Sequence, residues 1–280
     1  MSLTVERTEP LGAEIVGATV DMLLHEDGIP DLVMDTLEHN GIVVFHGIGF
    51  DDEQQVDFAR RLGEIVTGGP NKYGRSKENP EIYYVGFGEE LNNALQVKGS
   101  FHWHLDGTTD EIPSKASLLS ARSVSSNGGG DTQFVSTYAA YERLSDEDKG
   151  RLVDLKVHHS AESAYRHFDP HPSPEAVERL RTIPTRVHPL VWTHRSGKRS
   201  LVLGTTAYQV EGLPEDESAE LLAGLLAGAT APEHVYTHKW SPGDLVIWDN
   251  RGTLHQATPY AEDSGRMMHR VTLVGDEPIE

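Results

Sequence analysis

A histidine and an aspartate one residue apart can share a metal ion, and the chain offers that pair three times: His25 and Asp27 in HEDG, His104 and Asp106 in WHLDG, His167 and Asp169 in HFDP. With 15 histidines in 280 residues, chance alone produces such matches, so context decides. In an extended strand residues i and i+2 project from one face and can reach one ion. SFHWHLDGT sets aromatic and apolar residues between its polar ones, as a half-buried strand does. The other two pairs lie in acidic or Pro-rich surroundings, where side chains face water. His104 and Asp106 are therefore the pair selected. The run DLVIWDNRGTLHQAT reads as a strand, a turn and a returning strand that carries His255. A histidine between apolar neighbours is more often a satisfied core residue than a ligand, and His255 gains weight only as the third member beside the other two. In GRMMHRVTLV, alternation puts Arg266, Met268, Arg270 and Thr272 on one face and Met267, His269, Val271 and Leu273 on the other. The ordinary reading of two such arginines is a solvated outer face. If the face points inward, Arg266 and Arg270, roughly 13 Å apart at about 3.3 Å per residue, could hold two separate anions with their planar forks. Two histidines and a carboxylate are the ingredients of a facial triad for Fe(II), which leaves three open positions. A 2-oxo acid can chelate two of them and O2 can take the third, with an arginine anchoring the distal carboxylate.

Composition narrows the field. The chain has no cysteine, which excludes disulfides, thiolate metal sites and cysteine nucleophiles. A formal net charge of −20 is a poor match to nucleic acid or an anionic membrane, since both need a positive footprint. No basic-then-apolar leader and no membrane-length apolar run is evident, so a cytoplasmic protein is expected, with a homo-oligomer left open.

These residues need elements to position them. No repeat or linker divides residues 1–280, which are expected to form one domain. LGAEIVGATV at 11–20 reads as a short strand pair, PDLVMDTLEHNG at 30–41 as a helix with a C-terminal Asn-Gly stop, and IVVF at 42–45 as a buried strand. DDEQQVDFARRLGEI at 51–65 has an acidic start and places Phe58, Leu62 and Ile65 on one helical face. From 66 to 101 glycines and prolines break the periodicity, leaving EIYYVG at 81–86 as the strand-like piece, and the stretch is expected to be an active-site lid or loop. The second half holds short strands at 116–124, 200–204, 244–249 and 267–274, interrupted by helical stretches at 136–155 and 213–229. Many short strands with a few helices predict a mainly β fold, a double-sheet jelly roll decorated by α-helices.

In order and spacing, LGAEIVG, GIVVFHG, FARRLGEI, WHLDGT, GGGDTQF, VEGLP, GDLVIWDNRGTLHQATPY and RMMHRVTL resemble the taurine and 2,4-dichlorophenoxyacetate dioxygenases over nearly the whole chain. The resemblance implies a double-stranded β-helix (jelly-roll) core and an enzyme that uses Fe(II), 2-oxoglutarate and O2. Such an enzyme hydroxylates a small anionic organic substrate (a sulfonate, sulfate ester or aryloxy or alkyl carboxylate) and releases succinate and CO2. It implies His104, Asp106 and His255 as iron ligands, Arg266 and Thr132 as partners of the distal carboxylate of 2-oxoglutarate, and Arg270 as the substrate's anion partner. Trp103 and Asn250 match family positions that support the ligands. Lys72, Tyr73, Thr206 and Tyr208 are candidate pocket residues. VTGGPNKYG lacks the histidine that the taurine enzymes carry there, which argues against taurine as the substrate, while VEGLPEDESAELL and GGGDTQF look more like the phenoxyacetate side. Two rivals differ in class. A non-catalytic jelly-roll anion-binding protein would need no open metal positions, and a cupin-type metalloenzyme without 2-oxoglutarate would not need Thr132 with Arg266.

Overall fold

The computed structural model describes residues 3–67, 79–88 and 94–280. The first two strands, β1 (Thr4–Arg7) and β2 (Ala13–Val16), pair antiparallel. LGAEIVGATV therefore supplies one strand of the expected pair, and its partner lies upstream. Helices α1 (Val20–His25) and α2 (Ile29–Asn40) follow, and α2 stops at Gly41, whose left-handed φ of 76° returns its amide to the Leu37 carbonyl. β3 (Ile42–Phe45) is wholly buried. Helix α3 (Asp52–Leu62) starts on a capping box: Asp51 accepts from the Gln54 amide at 2.8 Å and Gln54 from the Asp51 amide at 3.1 Å. Phe58 and Leu62 pack inward from α3 as expected. Ile65 lies beyond the helix end at Gly63 and forms an isolated bridge with Leu273.

The remaining strands are β4 (Tyr83–Gly86), β5 (Ala116–Ser123), β6 (Thr132–Ser136), β7 (Lys156–His159) and β8 (Arg186–Pro189). After them come β9 (Val191–Thr193), β10 (Arg199–Leu201), β11 (Ala207–Val210), β12 (Tyr236–His238), β13 (Leu245–Asp249), β14 (Thr253–Ala257) and β15 (Met267–Leu273). A seven-stranded sheet runs β1-β2-β3-β13-β5-β15-β4. Opposite it lies the three-stranded sheet β12-β6-β14, and β11-β7-β8 and the β9–β10 pair complete the strands. The fold is a jelly roll with helices packed outside it.

Two-residue alternation sorts the large sheet's side chains into two layers. Val43, Phe45, Leu118, Leu245, Ile247, Val271 and Leu273 point to a core shared with α1, α2 and α3. Ile42, Val44, Leu119, Val246, Trp248 and Met268 point the other way, to Phe134 of β6. Strands buried on both faces read as unbroken apolar runs, which is why IVVF and LVIW were recognisable. Arg270 shares the inward face with Met268, so the arginine face lies inside the roll and not in solvent. Within residues 66–101, β4 falls in the expected strand and Ala94–Gly99 is a short helix.

Candidate active site

WHLDG is not a strand. His104 makes one isolated bridge to His255, with the two amide–carbonyl bonds at 3.1 and 3.0 Å, and the chain turns immediately afterwards. That bridge is enough to oppose the two imidazoles, whose centroids are 4.1 Å apart, on the inner side of β14. Leu105 is buried the other way, so His104 and Asp106 still share a side. One ligand atom from each of His104, Asp106 and His255 lies within 4.8 Å of the others. His104 Nε2 is 4.0 Å from Asp106 Oδ1, and His255 Nε2 is 3.6 Å from Asp106 Oδ2. Adjacent octahedral ligands with bonds of about 2.1 Å stand about 3 Å apart, so small side-chain movements would close all three on one ion.

The protonation states suit ligation. His104 Nδ1 lies 2.8 Å from the His102 carbonyl, which can only accept, so Nδ1 carries the proton and Nε2 presents a lone pair. Burial, then the neighbouring His104, pushes His255 down to about 3, and burial also lowers His104 against the pull of Asp106; both are neutral at pH 7. His255 Nδ1 is buried without a well-formed hydrogen bond. Burial resists ionisation of Asp106, but the charges of Arg270, His255 and His104 outweigh it and hold the carboxyl well below the usual carboxylate range.

The two arginines sit in different settings. Arg266 is 3% exposed, and its partners are neutral: Nε donates to the Gly130 carbonyl at 2.9 Å, Nη1 to the Tyr260 hydroxyl at 3.4 Å, and the guanidinium lies 4.7 Å from the Tyr260 ring centroid. Among the described residues no carboxylate is within ion-pair distance of it. Only glycine fits the Gly130 turn, because its φ is 79° and a Cβ would fall 2.6 Å from Arg266 Cδ. Thr132 accepts at 2.9 Å from Trp240 Nε1. An indole nitrogen only donates, so the Thr132 hydrogen remains available for another acceptor. Arg270 donates from Nη2 to Asp106 Oδ2 and, at 2.7 Å, to Ser117 Oγ, while its Nε is buried with no partner among the described residues. The guanidinium lies 5.3 Å from the centroid of Trp248.

Other candidates fall elsewhere. Thr206 hydrogen-bonds Thr108 and His159, and Tyr208 is 42% exposed with its ring against His158; neither is in contact with the triad. Lys72 and Tyr73 lie outside the described residues. Asn250 Nδ2 donates to Ser114 and Ser117 at 2.9 and 3.0 Å, and the Trp103 carbonyl accepts from the Thr205 amide at 3.1 Å. His25 is exposed and pairs with Asp21; the His167 ring lies 5.8 Å from that of His102. Sequence reasoning missed Ser117, Trp240, Trp248 and Tyr260. Of these, Trp248 and Tyr260 had a signal, as aromatics inside the WDNR-to-Arg266 segment.

The family model described as "Taurine catabolism dioxygenase TauD, TfdA family" matches residues 4–272. The chain belongs to this dioxygenase family. It is 33% identical over 290 residues to the alpha-ketoglutarate-dependent 2,4-dichlorophenoxyacetate dioxygenase of Burkholderia sp. (strain RASC), covering 98% of this chain and 95% of that one. It is 32% identical over 281 residues to the alpha-ketoglutarate-dependent sulfate ester dioxygenase of Pseudomonas putida, covering 96% and 88%. Among solved structures, AAD-2 in complex with Mn(II) and N-oxalylglycine superposes with a TM-score of 0.82 at 29% identity, covering all of both chains. The dioxygenase is thus an enzyme that consumes 2-oxoglutarate (alpha-ketoglutarate) and O2. No helix among its described residues is long and apolar enough to cross a membrane.

Proposed function

We propose that this dioxygenase holds Fe(II) through His104, Asp106 and His255, receives the distal carboxylate of 2-oxoglutarate on Arg266 and Thr132, and oxidises a small organic anion held by Arg270. Residues 1–280 are read as one catalytic domain. Arg266 carries this reading. A guanidinium buried with no carboxylate in ion-pair contact among the described residues, and only the more distant Asp131 to offset its charge, is costly unless a ligand supplies the anion, and Thr132 beside it has a hydroxyl hydrogen left to donate. A distal carboxylate would take both.

Two neutral imidazole nitrogens and an ionised carboxylate oxygen suit a divalent first-row ion of the iron type. When bound, iron would supply the redox chemistry that couples conversion of 2-oxoglutarate and O2 to succinate and CO2 with oxidation of a substrate C–H bond. The chain's own residues do the rest. Arg270 keeps Asp106 ionised and oriented while its Nε, without a partner among the described residues, offers a donor to the substrate's carboxylate, sulfonate or sulfate group. Trp248 and Phe134 wall the site and limit water. The dichlorophenoxyacetate and sulfate ester relatives act on substrates of different head group, and a planar fork accommodates either.

The test is succinate formation with Fe(II), 2-oxoglutarate and a panel of organic anions. His104→Ala, Asp106→Ala and His255→Ala are expected to abolish turnover and iron retention. Arg266→Ala is expected to keep iron while raising the KM for 2-oxoglutarate by orders of magnitude, since losing one member of a buried charged pair costs about 2–5 kcal/mol. An unaltered KM in Arg266→Ala would remove Arg266 from the cosubstrate site.

A further inference from the structure

Asp106 is the ligand with the weakest backbone support. His104 is pinned by its bridge and His255 by a full strand, but Asp106 begins a turn outside any ladder. A second segment, residues 203–207, runs beside residues 103–108 and touches them at three points, two just before the turn and one within it. The Thr205 amide donates to the Trp103 carbonyl at 3.1 Å. Gly204, at φ 116°, approaches so closely that a Cβ would sit 3.0 Å from His104 Cα and 3.1 Å from the Trp103 oxygen. The Thr206 and Thr108 hydroxyls are 2.8 Å apart.

The segment is itself anchored from behind. Ser160 donates its amide to the Thr206 carbonyl at 2.9 Å, and Ser163 its hydroxyl to the Thr205 carbonyl at 2.9 Å. His159 Nδ1 lies 2.9 Å from Thr206 Oγ1. Its Nε2 is buried with no partner among the described residues, so the ring's single hydrogen bond is the one to Thr206. His188 Nε2 donates to the Thr108 carbonyl at 2.9 Å and fixes the same turn from another strand. His159, His188 and Thr108 are all buried.

We infer that Thr206 is a positioning residue: its hydroxyl, fixed by His159, holds Thr108 and through it the turn that aims the Asp106 carboxylate at the metal. The inference rests on the proposed metal role of His104, Asp106 and His255. Buried partners bonded directly to a ligand typically change metal affinity about 10- to 100-fold when removed; Thr206 acts one contact further back, through Thr108, so the lower end of that range applies.

The experiment uses full-length Thr206→Val and Thr206→Ser with Co(II) as the probe, titrated anaerobically and followed by its d–d absorption, with the melting temperature of the metal-free proteins measured alongside. Thr206→Val is expected to weaken Co(II) binding about 10-fold, with a moderate fall in melting temperature from the buried partners it leaves unpaired, and Thr206→Ser to restore both. Thr108→Val provides the same reading from the other hydroxyl should Thr206→Val not fold, and it is expected to weaken Co(II) binding to the same extent. Unchanged Co(II) affinity in the folded variants overturns the inference. So does a loss of affinity that tracks a large fall in melting temperature without rescue by serine. A change confined to substrate KM would make Thr206 a substrate contact instead. His104→Ala is the separate control: if it still gives the wild-type Co(II) spectrum, the ligand assignment itself has failed.

Discussion

Asp106 and Arg270 constrain one another. The carboxylate faces both histidines and the guanidinium, and the guanidinium is also tied to Ser117, which accepts from Asn250 as well. In the proposed site Arg270 would therefore act on Asp106 as well as on the substrate, a double duty that strand alternation alone does not reveal. Arg270→Ala is expected to lower kcat/KM for the anionic substrate by about 30-fold or more, the equivalent of at least ~2 kcal/mol for a lost buried charged pair. It should also weaken iron binding, because Asp106 loses the cation that keeps it ionised and aimed. Arg270→Lys should recover part of both, since a point charge lacks the fork. Steady-state kinetics at saturating iron, with an iron titration in parallel, separates the two effects. Normal iron affinity in Arg270→Ala would show that Asp106 does not depend on it.

At the scale of elements, two turns govern how well these groups are aimed. The Gly128–Gly130 turn presses on Arg266, and Gly130→Ala combines a left-handed φ with a Cβ 2.6 Å from Arg266 Cδ. Stability should fall by about 1–2 kcal/mol from the backbone strain, and the KM for 2-oxoglutarate should rise because the guanidinium must move; kinetics and urea denaturation report the two separately. Asp244, 1% exposed, ties the Gly47 and Ser241 amides together at 2.9 Å each. It also lies 3.2 Å from His238 Nε2, though off the hydrogen-bond axis. Burial opposes its ionisation, but His238 and the two amides prevail and bring it to about 2 from 3.8. A depressed carboxyl contributes stability above its unfolded value and loses it as pH falls through the folded one. Asp244→Asn should therefore cost about 2 kcal/mol at pH 7, and the gap to wild type should shrink between about pH 4 and pH 2. Urea midpoints at pH 7 and pH 3 measure it, and a gap independent of pH would exclude the charge as its source. Strands and helices with their own apolar period, such as β3, β13 and α3, were legible in the sequence. What was hidden depends on distant partners. WHLDG looked like a strand because its alternation is real, yet only His104 finds a partner. Ile65 matched a helical face that Gly63 cuts short. Arg122 is skipped between the Ser123 and Ala121 partners of Met267 and Met268, a bulge that no local pattern announces. Thr206 and Tyr208 follow the same short strand run, but what they touch depends on β7 and the Asp106 turn.

Across the whole molecule, Arg266 and Arg270 are two inward-facing cations in a strongly acidic protein. Acidic residues number 44 against 24 basic ones, for a net charge of −20. On the proposed roles of Arg266 and Arg270, both 2-oxoglutarate and an organic anion would approach against that field before either arginine could attract them. Long-range repulsion between exposed charges is screened once the Debye length falls to about 8–10 Å at physiological salt, whereas pairs formed in a buried pocket are screened far less. Added salt should therefore help approach more than it weakens capture. Raising ionic strength from about 10 mM to about 150 mM, a range over which the Debye length shortens from roughly 30 Å to roughly 8 Å, should increase kcat/KM for an anionic substrate. A neutral analogue should show little response. The slope should flatten when exposed Asp and Glu side chains are replaced by Asn and Gln, because the repulsion comes from their charge and not from the pocket. A kcat/KM that falls steadily with salt would mean that the local arginine field dominates the approach and that the acidic surface serves solubility alone.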